Sequence, residues 1–314
     1  MTADKTMITA TSNPHVKYAR RLHRRRMREK EGRCLLEGVR LVADAAEAGA
    51  SFVLGFWEET MLRVPGGEAL LGRLMERPPL GGFFEVHPHV MAELADTEAP
   101  QGIVVVAQRP APNPRSLLGE AAPATLAILD NVRDPGNVGT VIRSADASGA
   151  AGVIFLPGTA DPFGSKALRA SMGSTFHIPV VAAEQAVLAY KSELGDLGRR
   201  SERAEPVDDA AAGDDEDYLP RTETASHLPR LLARLGYRVF VADASAEAPH
   251  WEAPLGGKAA IVLGSEAEGP DPVLWAGADR ISIPMLGPAE SLNVAMAAAV
   301  LLYEAARVRE GWGR

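Results

Sequence analysis

Apolar and polar residues alternate in short blocks along the chain, and their spacing predicts strands and helices in turn. Residues 124–130 (ATLAILD) are a short apolar run of the kind that makes a buried strand. Just beyond it, Val138, Val141, Ile142 and Ala145 stand at i, i+3, i+4 and i+7, one face of a helix. Asp134 and Pro135 offer that helix an N-cap and a first-turn proline. A strand that passes through a glycine-containing loop into a helix sets polar groups at the carboxyl edge of a sheet, where open α/β sheets bind ligands. Asn131, Asn137 and Arg143 are the polar side chains offered there. Taken alone, the segment is equally consistent with a plain strand-to-helix turn.

The same pattern extends in both directions. Upstream, strands are expected at 34–38, 52–56, 83–86 and 103–107, with helices at 39–47, 70–75 and 88–95. Downstream, strands are expected at 153–156, 178–181, 238–242, 259–263 and 280–284, with helices at 165–171 and 228–235. The strand at 259–263 runs into Gly264-Ser265-Glu266-Ala267-Glu268-Gly269, where two glycines allow a close backbone approach. Ser291-Leu292-Asn293-Val294 opens an alanine-rich helix to about residue 308, apolar almost all round and therefore expected to be buried. Pro110, Pro112 and Pro114 crowd into a segment that reads as a semi-rigid linker. The expected organisation is an unstructured start (1–11), a first α/β domain (12–109), a linker (110–122) and a second α/β domain (123–314).

Charge changes the picture through its distribution. The 314 residues carry a net charge of −8, which by itself argues against a nucleic-acid partner. Yet Lys17, Arg20, Arg21, Arg24, Arg25, Arg26, Arg28, Lys30 and Arg33 crowd into one segment, as on surfaces that replace phosphate counterions. Lys17, Arg20, Arg24, Arg25 and Arg26 are the candidate RNA-binding residues. Much of the negative charge lies between Glu202 and Asp217, within an acidic insertion at about 195–224 that is expected to be disordered and solvated. The single cysteine, Cys34, allows no internal disulfide and no cysteine-rich zinc site, so no metal is expected. No apolar run approaches the roughly 18 residues of a membrane span, and no signal core opens the chain. A soluble cytoplasmic protein without a membrane partner is the expectation.

Three segments then stand in order, each at the end of an expected strand: DNVRDPGNVGTVIRSADASGA (130–150), IVLGSEAEG (261–269) and ISIPMLGPAESLNVAMAAAVLLYE (281–304). They resemble the three signature motifs of the SpoU/TrmH family of RNA ribose 2'-O-methyltransferases, within the SPOUT superfamily. KALRASMGSTFHIPV (166–180) is similar to the family as well. SNPHVKYARRL, RCLLEGVRLV and TEAPQGIVVV (97–106) are similar to the substrate-binding domain often attached to it. One departure is Gly269-Pro270-Asp271, where the family more usually has an apolar residue after the glycine. No P-loop or full GxGxxG pattern competes.

The resemblance implies a C-terminal parallel-sheet α/β domain threaded into a deep trefoil knot, a small N-terminal α/β RNA-binding domain, and a homodimer formed through the knotted domain. It implies S-adenosylmethionine as cofactor, contacted by Leu263, Gly264, Ser265, Ile283, Met285 and Leu292. It assigns catalytic and substrate-ordering positions to Asn137, Arg143, Glu266, Ser291 and Asn293. The implied reaction is methylation of a ribose 2'-hydroxyl, with 23S ribosomal RNA the first substrate because the extra domain suits a folded RNA. A tRNA ribose methyltransferase, a base-modifying relative and a non-catalytic RNA-binding assembly or resistance factor are the alternatives.

Overall fold

The computed structural model describes residues 7–119, 125–191, 225–265 and 268–312. The expected acidic insertion and Glu266 lie outside the described residues. The chain packs as two units, one reaching to Ala111 and completed by Asp161–His177, the other formed by Pro112–Ala160 and Ile178–Arg314.

The first unit runs α1 (Pro14–Arg21), α2 (Arg25–Glu31), β1 (Arg33–Glu37), α3 (Val39–Glu47), β2 (Phe52–Trp57), α4 (Gly67–Glu76), β3 (Phe83–Glu85), α5 (Pro88–Leu94) and β4 (Ile103–Gln108). Its sheet has the order β1-β4-β2-β3, with β4 antiparallel to β1 and β2, and β3 parallel to β2. Asn13 caps α1 by accepting from His15 N–H at 2.9 Å. Val16, Ala19 and Leu22 bury one side of α1 against Leu54, Phe56 and Val90, and leave Lys17, Arg20 and Arg21 exposed. The unstructured start expected up to residue 11 does not hold at Ile8. Its N–H donates to Glu85 O, its carbonyl accepts from His87 N–H, and its side chain is buried, so apolar burial and paired backbone hold it.

The second unit runs α6 (Pro114–Leu118), β5 (Thr125–Asp130), α7 (Pro135–Ala147), β6 (Gly152–Phe155), α8 (Ser165–Ser171, contributed to the first unit), β7 (Val180–Ala182), α9 (Ala183–Ala189), α10 (Leu228–Arg234), β8 (Arg238–Ala242), β9 (Ala259–Gly264), β10 (Asp279–Ile281) and α11 (Val294–Glu310). All six strands are parallel, in the order β10-β8-β9-β5-β6-β7. β5 and β9 are buried along their whole length, as their unbroken apolar runs require for central strands covered on both faces. Leu126, Ile128, Val181 and Val262 pack with Leu228, Leu231 and Leu232 of α10. α7 and α11 pack side by side.

Three expectations are corrected here. Part of the expected linker is the helix α6: Asn113 caps it, Pro114 starts it, and Leu117 and Leu118 are buried in the second unit. The last strand ends at Ile281, not at residue 284, because Ile283 and Met285 turn into the wall of a cavity and Pro284 has no N–H to donate. α11 buries Ala298, Leu301, Leu302 and Ala305 but exposes Met296, Val300 and Tyr303, so its apolar circumference is only partly covered.

Candidate active site

The carboxyl ends of β8, β9 and β5 lie side by side, and the loops that leave them build the site. A cavity of about 390 Å³ opens there. Its wall comes from residues 241–245 at the end of β8 and just beyond it, Leu263, Gly264 and Ser265 at the end of β9, Pro270 and Pro272, Ile283 and Met285, Ser291 and Leu292, and Val294, Ala297 and Leu301 of α11. All six expected cofactor-contacting residues, and Ser291, are thus brought together on one cavity.

Gly264 is required by space. A Cβ there would lie 2.0 Å from Pro270 N and 2.1 Å from Gly269 C, both backbone atoms that cannot move aside cheaply. The return of the chain is fixed by a bridge between Ser265 and Gly269, with Gly269 N–H donating to Ser265 O at 2.9 Å. Asp130, 0% exposed at the end of β5, anchors the next stretch. Its Oδ2 accepts from Asp271 N–H at 2.8 Å and from Trp275 Nε1–H at 2.9 Å. On the opposite wall, Asp243 accepts from Ser245 N–H and Oγ–H and from Arg280 Nη1–H at 2.7 Å. The Ser245 hydrogen bonds foremost, and Arg280 with them, hold the Asp243 carboxyl below its ordinary value.

A smaller cavity of about 200 Å³ adjoins the first and shares Ser265, Glu268 and Val294 with it. Val132, Arg133, Asp134 and Asn137 complete its lining. The N-termini of two helices meet beside it. Asp134 caps α7 by accepting from Asn137 N–H at 2.9 Å, and Asn293 caps α11 by accepting from Ala295 N–H at 2.9 Å. With its Oδ1 committed to the cap, Asn293 turns its Nδ2 to donate to Asn137 Oδ1 at 3.1 Å. Asn137 and Asn293, distant in sequence, therefore form one hydrogen-bonded pair.

Arg143 is exposed on α7 and lines neither cavity. Tyr303, in the exposed stripe of α11, reaches α7 through an Oη–H bond to Ala147 O at 3.4 Å, one turn beyond Arg143 in the helix. Of the basic residues in the first unit, Lys17, Arg20, Arg24 and Arg26 are exposed, with Arg20 paired to Glu93 at 2.7 Å. Arg25 departs from the expectation: it is 3% exposed and bonded to Glu29 at 2.9 Å, so its guanidinium is withdrawn from any phosphate. Arg28 is also buried, bonded through Nε to Asp161 at 2.7 Å. Sequence reasoning passed over Asp130, Asp243, Trp275 and Arg280. The available signal was that each aspartate directly follows an apolar strand run, as Asn131 follows Asp130.

Residues 13–105 match the MRM3-like substrate binding domain, and residues 124–198 and 197–303 match the SpoU rRNA Methylase family. The chain is 31% identical over 303 residues to the 23S rRNA (guanosine(2553)-2'-O)-methyltransferase RlmP of Bacillus subtilis, covering 94% of this chain and 97% of that protein. It is 28% identical over 326 aligned positions to human mitochondrial rRNA methyltransferase 3, covering 91% of this chain and 70% of that protein. The crystal structure of the AdoMet-bound rRNA methyltransferase from Sinorhizobium meliloti is similar with a TM-score of 0.68 at 27% identity, covering 96% of this chain and 97% of that one.

Proposed function

Because the chain belongs to the SpoU rRNA methylase family, we propose that it transfers a methyl group from S-adenosylmethionine to a ribose 2'-hydroxyl of 23S ribosomal RNA. The observation that carries the reading is the Asn137–Asn293 pair standing beside two adjoining cavities, one sized for a cofactor and the other lined by Arg133, Asp134, Asn137 and Glu268. The named relatives act on ribosomal RNA, which favours that substrate over tRNA.

The larger cavity suits S-adenosylmethionine. Its volume falls within the range of cofactor sites, its walls mix Leu263, Ile283 and Leu292 with the Asp243 carboxylate, and Gly264 lets the chain return at Gly269 and Pro270 to close one wall. Leu263, Gly264, Ser265, Ile283, Met285 and Leu292 hold the cofactor in this reading. Bound there, it supplies an electrophilic methyl group on a sulfonium.

The chain's own task is to align the ribose oxygen and to stabilise its alkoxide character as the proton leaves. Asn137, fixed by Asn293, positions the hydroxyl from the smaller cavity. Arg143 supplies positive charge near the developing alkoxide; it does not serve as the base, since a guanidinium stays protonated. Ser291 and Glu266 order the loops around the donor and the RNA. A homodimer that covers Met296, Val300 and Tyr303 would bury the exposed stripe of α11 and carry Arg143 of one protomer toward the acceptor cavity of its partner. The close return of the chain past Gly264, anchored at Asp130, supports a trefoil knot at this edge. The exposed cations Lys17, Arg20, Arg24 and Arg26 serve the RNA, and Arg25 does not. Among the described residues no helix is long and apolar enough to cross a membrane. Action on 23S ribosomal RNA would put the enzyme in the cytoplasm.

The test is transfer of labelled methyl from S-adenosylmethionine to unmodified 23S rRNA and, separately, to tRNA, followed by digestion to nucleosides. A labelled 2'-O-methylnucleoside from 23S rRNA is expected. Arg143→Ala should abolish transfer while leaving donor affinity within about twofold. No transfer to either RNA together with no donor binding would reject the enzyme reading.

A further inference from the structure

Arg133 lines the smaller cavity together with Asn137, and among the described residues lining it no other cation is present. Its position is set by a neighbour in a rare conformation. Asn131 has φ 61°, a left-handed geometry that asparagine tolerates better than most residues. Its Oδ1 accepts from Arg133 Nε–H at 3.2 Å. Room for that carboxamide is left by Gly158, where a Cβ would lie 2.8 Å from Asn131 Oδ1 and where φ is 87°. Gly158, Asn131 and Arg133 thus form a device that pins the guanidinium at Nε.

Among the described residues, both terminal nitrogens of Arg133 remain without a protein acceptor and no carboxylate lies within ion-pair distance of it. Asp134 and Glu268 line the same cavity, yet neither is paired to Arg133, and Asp134 is engaged as the cap of α7. Stripped of Arg133, the cavity's only charged side chains among the described residues would be the carboxylates of Asp134 and Glu268. A planar guanidinium whose terminal Nη1–Nη2 edge is free matches the oxygens of a phosphodiester in a two-point contact.

We propose that Arg133 binds a backbone phosphate next to the acceptor ribose, which makes the smaller cavity the entry site of the target nucleotide. The inference rests on the methyltransferase reading and adds the group that seats the RNA.

The experiment uses the full chain with in vitro-transcribed 23S rRNA. Arg133→Gln should raise KM for the RNA by about tenfold, and reduce the slope of log affinity against log salt by about 0.7. Calorimetric affinity for S-adenosylmethionine should be unchanged. Arg133→Lys should keep the salt slope. Asn131→Gly, which suits the backbone but frees the guanidinium, should fall between wild type and Arg133→Gln. An unchanged KM and salt slope in Arg133→Gln would overturn the proposal; so would a raised KM with an unchanged slope, which would mean contact with a base. If the wild-type protein neither methylates RNA nor binds the donor, the underlying reading fails first, an outcome distinct from normal transfer by Arg133→Gln.

Discussion

The carboxylate of Asp130 accepts a hydrogen bond from the indole Nε1–H of Trp275 at 2.9 Å, and both side chains are buried. The same oxygen accepts from Asp271 N–H. One carboxylate at the end of a central strand therefore ties down the stretch whose Pro270 and Pro272 wall the larger cavity. Asp130→Ala would take this acceptor from the buried indole N–H and the partly buried Asp271 N–H, at roughly 1–3 kcal/mol each. We expect urea unfolding to show a loss of about 2–5 kcal/mol. Asp130→Asn retains an acceptor oxygen and should lose less, with donor affinity weakened more than kcat. Stability equal to wild type in Asp130→Ala would show that the loop is held by other contacts.

Arg28 and Asp161 are 4% and 5% exposed at their side chains and form a 2.7 Å ion pair within the first unit. Arg28 Nη1 also donates to the carbonyls of Leu22 and His23. Removing one partner of a buried pair leaves the other charge uncompensated, so Arg28→Met should cost about 3–5 kcal/mol. Arg26→Ala, on the exposed face of the same helix, should change stability by less than about 0.5 kcal/mol while weakening RNA binding. Denaturation midpoints and RNA affinities measured on both variants check this. Equal stability losses would remove the distinction between structural and surface cations in the basic block.

Cys34 is buried in β1, and burial pushes its thiol up to about 12. Only the thiolate reacts at an appreciable rate. The native protein should therefore resist a thiol-specific reagent at pH 8 and titrate one group per chain in urea, as the single cysteine requires. Rapid labelling of the native protein would show that β1 opens readily.

The sequence by itself determined the alternation of strands and helices and the start of α7, because these rest on local periodicity and capping; the parallel sheet was legible only through the family resemblance. Asp134-Pro135 is read from neighbours in the chain, as are the unbroken apolar runs of β5 and β9, whereas Asn113-Pro114 reads as linker until Leu117 and Leu118 are found buried. The three motifs also named six expected cofactor-contacting positions, and the structure gathers them on one cavity. What only the tertiary structure decided are relationships between residues far apart in sequence. The Asn137–Asn293 and Asp130–Trp275 hydrogen bonds depend on how β5 is flanked by β9 and how α7 lies against α11. The basic block was divided the same way. Arg25 and Arg28 look like their neighbours in sequence, but helix phase and the return of Asp161 turn them inward, where a charge persists only if it is paired. The exposed stripe of α11 follows the same logic, since an alanine-rich helix carries no mark of which face its own chain will cover.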